Sequence, residues 1–177
     1  MTHDNEPTGV APEPPRGGVR VRQADGNDLD AVVSVGRQTW PIVARSLFEP
    51  DMVELFLAKW WTSDANIPSI RTGRTLVAEA DGEIVGMAAI GPHDGRQVIW
   101  KLYVLPEHQG RGIGGQLLAA IFERVGEQPV FLPYTDGNHS ASRFANTHGF
   151  VLDHREEQHG MPDLLWARRD PGRSATR

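Results

Sequence analysis

Apolar and polar residues fall at regular spacings along this chain, and the spacings predict its elements. Val19-Arg20-Val21-Arg22 alternates, as a half-buried strand does. Asn27-Asp28 supplies a helix start, and Leu29, Val32, Val33 and Gly36 form an inward stripe running toward Trp40 until Pro41 disturbs it. A second helix is expected from Glu49-Pro50-Asp51, with Met52, Leu55, Phe56, Lys59 and Trp60 on one face. A polar stretch, 62–74, follows. Residues 75–80 and 83–90 are strand-like runs joined by Asp81-Gly82, a strong hairpin signal. Residues 91–96 form a loop and 98–105 an apolar run ended by Pro106. Ile113, Leu117, Leu118, Ile121, Phe122 and Val125 then trace the buried stripe of a further helix. Beyond it come a strand at 130–132, a turn at 135–138, and a short helix capped by Asn138, with Ala141, Phe144 and Ala145 inward and Gly149 as its stop. Closing strands are expected at 150–153 and 164–167.

The order is β-α-α-β-β-β-α-β-α-β-β, which predicts an α/β fold with a mixed, mostly antiparallel central sheet flanked by helices. One domain is expected over 19–169. Residues 1–18, polar with four prolines and no periodicity, are expected to form a disordered tail, and 170–177 a frayed end.

The sharpest chemical signal is Gln109-Gly110-Arg111-Gly112-Ile113-Gly114-Gly115, between the apolar run and the helix after it. A glycine-rich turn that opens a helix presents unpaired N–H groups at the positive end of the helix dipole, which is a seat for phosphate. Gly110-x-Gly112-x-x-Gly115 also fits the dinucleotide fingerprint G-x-G-x-x-G. In that fingerprint the strand runs straight into the first glycine, and an acidic residue follows about 20 residues on, at the end of the next strand. Here Pro106-Glu107-His108-Gln109 intervenes, and Glu127 comes before the next strand begins. The turn more closely resembles the Q/R-x-x-G-x-G/A signature of the GNAT superfamily, the acetyl-CoA-dependent N-acetyltransferases. As in that family, a V-x-P-x-x-Q segment leads into it, here residues 104–109. A second stretch, Asn138-x-x-Ala141-x-x-Phe144-x-x-x-x-Gly149-Phe150, is similar to the family's N-x-x-A-x-x-F-Y-x-x-x-G-F.

The resemblance implies an enzyme that transfers acetyl from acetyl-CoA directly to a primary amine, with the cofactor wedged between splayed fourth and fifth strands. Carried over by position, it implies that Leu102, Tyr103 and Val104 offer backbone groups to the pantetheine and the acetyl carbonyl. It further implies that Gln109, Gly110, Arg111, Gly112, Ile113, Gly114 and Gly115 hold the pyrophosphate and that Asn138 lies beside the pantetheine arm. Three of the family's acid and base positions carry no such group here. Ala145 replaces the Tyr of the F-Y pair, and Pro133 and Val98 occupy two base positions. The nearest substitutes are Tyr134, Glu79 and His139, with Tyr134 taken as the catalytic candidate, although a one-residue shift along a strand turns a side chain to the other face. Trp60-Trp61 falls in the region with which the family lines its acceptor pocket. A small-molecule amine is the expected acceptor. The alternatives are a protein N-terminus or lysine, or a module that binds acyl-CoA without turning it over. Homodimers fit the family, but no interface is specified in these residues.

Composition narrows the classes. With a net charge of −5 and dispersed arginines, the chain is not marked as a nucleic-acid binder. The absence of cysteine excludes disulfides, thiolate metal sites and a cysteine nucleophile, and fits a reducing compartment. His93, His108, His139, His148, His154 and His159 are scattered, with no H-E-x-x-H pair, so no metal is expected. No apolar run approaches the roughly 20 residues of a membrane span, and no apolar signal core opens the chain, so a cytoplasmic protein without a membrane partner is expected.

Overall fold

The computed structural model describes residues 18–172, so all but the last residue of the expected N-terminal tail, and 173–177, lie outside the described residues. Seven strands form one sheet: β1 (Val19–Gln23), β2 (Thr75–Ala80), β3 (Glu83–His93), β4 (Arg96–Val104), β5 (Val130–Thr135), β6 (Val151–Glu156) and β7 (Leu164–Arg169). Their order is β1-β2-β3-β4-β5-β7-β6, antiparallel throughout except where β4 meets β5. Helices α1 (Leu29–Ala44), α2 (Pro50–Trp60) and α3 (Ser63–Arg71) cover one face, and α4 (Ile113–Val125) and α5 (His139–Thr147) the other. Period-2 alternation builds both cores at once. Leu76 and Ala78 pack toward α4, and Val77 between them packs toward α1–α3. The predicted stripe of α4 is the buried one, with Ile113, Leu117, Leu118 and Ile121 all inside.

Tertiary packing overrides several local expectations. Helix α1 runs through Pro41 to Ala44, because both residues are buried against the sheet and the contacts offset the lost backbone bond. The polar stretch after α2 contains helix α3, started by Thr62 Oγ1 accepting from the Ala65 N–H at 3.3 Å. Its only buried residues are Asn66 and Ile70, so it has no apolar stripe to recognise. In α2 the buried side is Val53, Phe56 and Leu57, while Leu55 of the predicted face is 55% exposed. Both sides of that helix are apolar, so periodicity could not choose between them. The expected loop at 91–96 is a second tight hairpin. Asp94 and Gly95 take φ of 47° and 73°, repeating the left-handed pair at Asp81 and Gly82.

The first strand is tied to the first helix by a partly buried ion pair. Arg22 donates from Nη1 and Nη2 to the two carboxylate oxygens of Asp28 at 2.7 and 2.9 Å, and from Nε to Glu79 at 3.0 Å. Hydrogen bonding from Arg22 holds the Asp28 carboxyl below the ordinary value of 3.8, against the opposing cost of desolvation. Because the folded value is the lower one, this stabilisation is complete above about pH 4 and is lost as pH falls through the folded value. Asp28→Ala is expected to cost about 1–3 kcal/mol in urea unfolding at neutral pH. Its deficit relative to the parent protein should shrink when the titration is repeated near pH 3.

Candidate active site

Strands β4 and β5 are hydrogen-bonded only at Gln97–Val130 and Val98–Phe131, although β4 continues to Val104 and β5 to Thr135. Beyond those pairs the strands part. Two features of the chain open this seam. Lys101 pairs with Ala89 and Ile99 with Ile90, which leaves Trp100 as an extra residue in a bulge that bends β4. Pro133 on β5 has no N–H to give a ladder, and proline is tolerated in a strand only where pairing is open. Half of the main-chain groups of 99–104 point away from β3 into the seam, where no strand pairs them. Val98, Phe131 and Trp166 pack together at its closed end.

The glycine turn stands at the other end. A 3-10 turn, Pro106–His108, leads to Gln109, whose side-chain amide donates to Val104 O at 2.9 Å and braces the turn against the end of β4. Gly110 and Gly112 have φ of 74° and 78°, a backbone that favours glycine, and a Cβ at either would meet nothing within 4 Å. Both therefore border open space. Gly112 is the N-cap of α4 and offers no side chain to it, and no acidic residue lies in the first turn. The first backbone bond here runs from Gln116 N–H to Gly112 O, so the amides of Ile113, Gly114 and Gly115 precede the helix ladder. This is a fitting seat for a pyrophosphate, with Arg111 exposed beside it.

Gly114 and Gly115 have a different reason to be small. A Cβ on Gly114 would lie 2.9 Å from Phe144 Cε2, and one on Gly115 would lie 3.0 Å from His148 Nε2. These two glycines let α5 cross the first turn of α4. Asn138 caps α5, its Oδ1 accepting from Ala141 N–H at 3.0 Å.

The remaining predicted residues are divided between the two faces. Leu102 and Val104 pack on the α4 side. Tyr103 packs on the α1–α3 side with its ring 5.2 Å from Trp61, edge to face, and burial pushes its phenol well up. Tyr134 packs against the α4-side core, opposite to Tyr103. Glu79 is held by Arg22, with β3 between it and the seam, and His139 is exposed at the start of α5. These three candidates are not brought together. Ala145 is 1% exposed and sits in the α4-side core. Ala145→Tyr is therefore expected to lower stability by about 1–3 kcal/mol through overpacking, measured by thermal or urea unfolding.

Other residues of the site were not singled out from sequence. Lys101 Nζ donates to Asn66 Oδ1 at 2.7 Å and to Trp60 O at 3.1 Å, and lies 4.4 Å from the Trp61 ring centre. Burial pushes its ammonium down to about 8. The clamp fastens the α2–α3 junction to β4 beside the seam. A lone lysine inside the apolar run 98–105 was the available signal. On the same face Trp100, 44% exposed, meets Trp166 edge to face at 6.0 Å, across β5. At the opposite end the loop after α1 reaches over, and a Cβ on Gly137 would lie 3.2 Å from Leu47 Cδ2. Among the described residues no three His, Asp or Glu side chains gather as a metal cage, and no helix is long and apolar enough to cross a membrane.

Comparison with known proteins gives the same fold and, over part of the chain, a family match. The acetyltransferase (GNAT) domain family matches residues 71–152, which include β4, the glycine turn and α5. Over 143 residues the chain is 27% identical to "Probable N-acetyltransferase Rv2775" of Mycobacterium tuberculosis, covering 77% of this chain and 82% of that one. A stretch of 74 residues is 40% identical to mycothiol acetyltransferase of Amycolatopsis mediterranei, covering 40% of this chain but only 24% of that protein. The crystal structure of the PaiA N-acetyltransferase of Thermoplasma acidophilum in complex with coenzyme A has the same fold, with a TM-score of 0.75 at 18% identity over 86% of this chain and 99% of that one. The splayed parallel pair, the glycine turn at the head of α4 and the family match agree: residues 71–152 match the acetyltransferase (GNAT) domain family, within a fold similar to that of a known N-acetyltransferase.

Proposed function

We propose that this chain is a GNAT N-acetyltransferase that transfers acetyl from acetyl-CoA directly to the primary amine of a small molecule. The observation that carries this reading is the open seam between β4 and β5 with the free amides of α4 at its end. Acetyl-CoA supplies the activated thioester. The chain seats the pyrophosphate on residues 110–115, with Gln109 bracing the turn, Arg111 adding charge and Asn138 beside the pantetheine arm. Main-chain groups of Leu102, Tyr103 and Val104 polarise the acetyl carbonyl as the amine attacks. The C–N bond forms and the C–S bond breaks; the amine gives up a proton and the departing thiolate gains one.

Tyr134 lies on the α4 side of the seam, which suits protonation of the thiolate better than deprotonation of the amine. Tyr134→Phe is expected to lower kcat by about 100-fold with little change in the amine's KM. An unchanged kcat would remove Tyr134 from the reaction.

Two observations support a small acceptor. On the α1–α3 face Leu47 comes against Gly137 at one end of the seam and Trp100 meets Trp166 at the other, contacts that favour a compact acceptor between them. The Amycolatopsis relative is also named for a small molecule. Thiol release should be followed with polyamines, amino acids and aminoglycosides beside peptides with a free N-terminus or lysine. Turnover confined to the small amines supports the proposal, and turnover confined to peptides overturns it. A second reading rests on Val98, Pro133 and Ala145, none of which can move a proton. A binding module of this kind would take up acetyl-CoA and release no thiol with any amine.

A further inference from the structure

We propose that the acceptor is an amine that also carries a carboxylate, as an amino acid does, and that Lys101 binds that carboxylate. The inference rests on the reading of this chain as an acetyltransferase of small amines, and it narrows the acceptor. A bulge sets the lysine in place. Strict alternation would send Trp100 and Lys101 to opposite faces of β4, but the extra residue in the strand turns both toward the α1–α3 side. Leu102 and Val104 pack on the other side, with α4, so an amine that meets a cofactor seated at α4 comes from the side of Lys101. Lys101 also directly precedes the main-chain groups of 102–104 proposed to polarise the acetyl carbonyl, in the part of β4 that β5 no longer pairs.

Hydrogen bonding alone does not account for a lysine here. Nζ donates to Asn66 Oδ1 at 2.7 Å and to Trp60 O at 3.1 Å, and both acceptors are neutral. Asn66 is 1% exposed, and its own amide donates to Trp60 O at 3.1 Å and Thr62 O at 2.8 Å, so the α2–α3 junction is tied without any charge. Among the described residues no carboxylate forms an ion pair with the ammonium. Desolvating an ammonium is costly unless an anion meets it, and one N–H remains that no oxygen of the chain accepts. The Trp61 ring, 4.4 Å from Nζ, flanks the charge without neutralising it. The site is not sealed, since Lys101 is half-buried and Trp60 beside it is 38% exposed. The charge nearby has the same sign. Arg96 lies 4.9 Å over Phe131, in the aromatic cluster of Trp166, and it too has no carboxylate partner among the described residues. The carboxylates bonded to this cluster are already held, Glu156 by Trp166 Nε1 at 2.7 Å and Asp170 by Arg168 at 2.6 Å. Such a field opposes a second cation on the acceptor and draws in an anion. The exposed indole of Trp100 gives apolar surface beside it for the rest of the molecule.

The test follows thiol release from acetyl-CoA with leucine and phenylalanine beside leucinol and phenylalaninol, which keep the amine and the side chain but lack the carboxylate. Spermidine serves as the polycation. We expect kcat/KM to be at least about tenfold higher for each acid than for its alcohol, with the difference in KM, and spermidine to fall below both. In Lys101→Met that ratio should drop to within about twofold, and Lys101→Arg should keep part of it. Acetyl-CoA should bind Lys101→Met within about twofold of the parent by calorimetry, which separates an acceptor contact from a collapsed strand. Alcohols turned over as well as acids, spermidine preferred, or an intact ratio in Lys101→Met each overturn the carboxylate assignment and leave the small-amine reading standing. Equal losses for acid and alcohol in Lys101→Met reduce the lysine to a structural clamp and overturn it too. Turnover confined to peptides, or none with any amine, removes the small-amine reading and this inference with it. The ratio of acid to alcohol in the parent protein requires no variant, so a Lys101→Met protein that fails to fold leaves the test decisive.

Discussion

Replacing Gly112 with aspartate is expected to raise the Kd for acetyl-CoA by at least about 100-fold, or ~2.7 kcal/mol, without unfolding the protein. Three effects act in the same direction. The residue takes φ of 78°, where a side chain adds backbone strain. Its Cβ would project into the open space bordering the turn, where the phosphates are expected. The new carboxylate would also cap the α4 amides itself, filling an anion seat with an anion of the wrong kind. Gly112→Ala separates these effects, since it adds only the strain and a methyl group, and it should retain most of the affinity. Parallel titrations with acetyl-CoA, coenzyme A and NADH are the appropriate measurement. Binding of NADH alone would return the turn to the dinucleotide fingerprint it also matches. Retained acetyl-CoA affinity in Gly112→Asp would sink the phosphate seat.

The second large effect concerns the platform beneath the opening on the other face. Trp61 is 1% exposed, and its ring fills the space beside Gly36 so fully that a Cβ there would lie 1.8 Å from Cε3. No rotation of an alanine methyl relieves that overlap, so Gly36→Ala is expected to cost about 3 kcal/mol, toward the upper end for overpacked cores. Trp61→Ala should cost about 3–5 kcal/mol by leaving a cavity, and it also removes the ring beneath the Lys101 ammonium. The double variant makes the argument sharp. Once the indole is gone, alanine at 36 has room, and helix propensity should make it stabilising by about 0.5–1 kcal/mol in that background. Urea unfolding of the four proteins gives the coupling energy directly. Additive losses would mean that Gly36 and Trp61 are not one packing unit.

Much of the fold was legible because it depends on neighbours in sequence. The alternation in β2 and the stripe of α4 each specify a buried side without knowledge of what covers it. Asp81-Gly82 forces a hairpin because both residues must take positive φ, which few pairs do cheaply. Asn138 and Gly149 bracket α5 for equally local reasons, a side-chain cap and a left-handed stop with φ of 81°. Helix α3 was not legible, since its place depends on Lys101 reaching Asn66 from a strand far along the chain. Neither was the choice of inward side in α2, where the sheet and α1 select Val53 and Leu57 over Leu55.

Taken alone, the sequence determined the order of the strands and of every helix but α3, the two-faced sheet and a glycine turn able to hold phosphate, because periodicity, capping and positive φ act within a few residues. Only the tertiary structure decided what each glycine is for. Gly110 and Gly112 bend the backbone beside open space, whereas Gly114 and Gly115 make room for Phe144 and His148 of another helix. It also decided that β4 and β5 part after two pairs, that Tyr134 and Tyr103 look to opposite faces, and that Lys101 is buried against Asn66. Each of these depends on which segments meet across the sheet, and long-range contact is a property that no local pattern of residues carries.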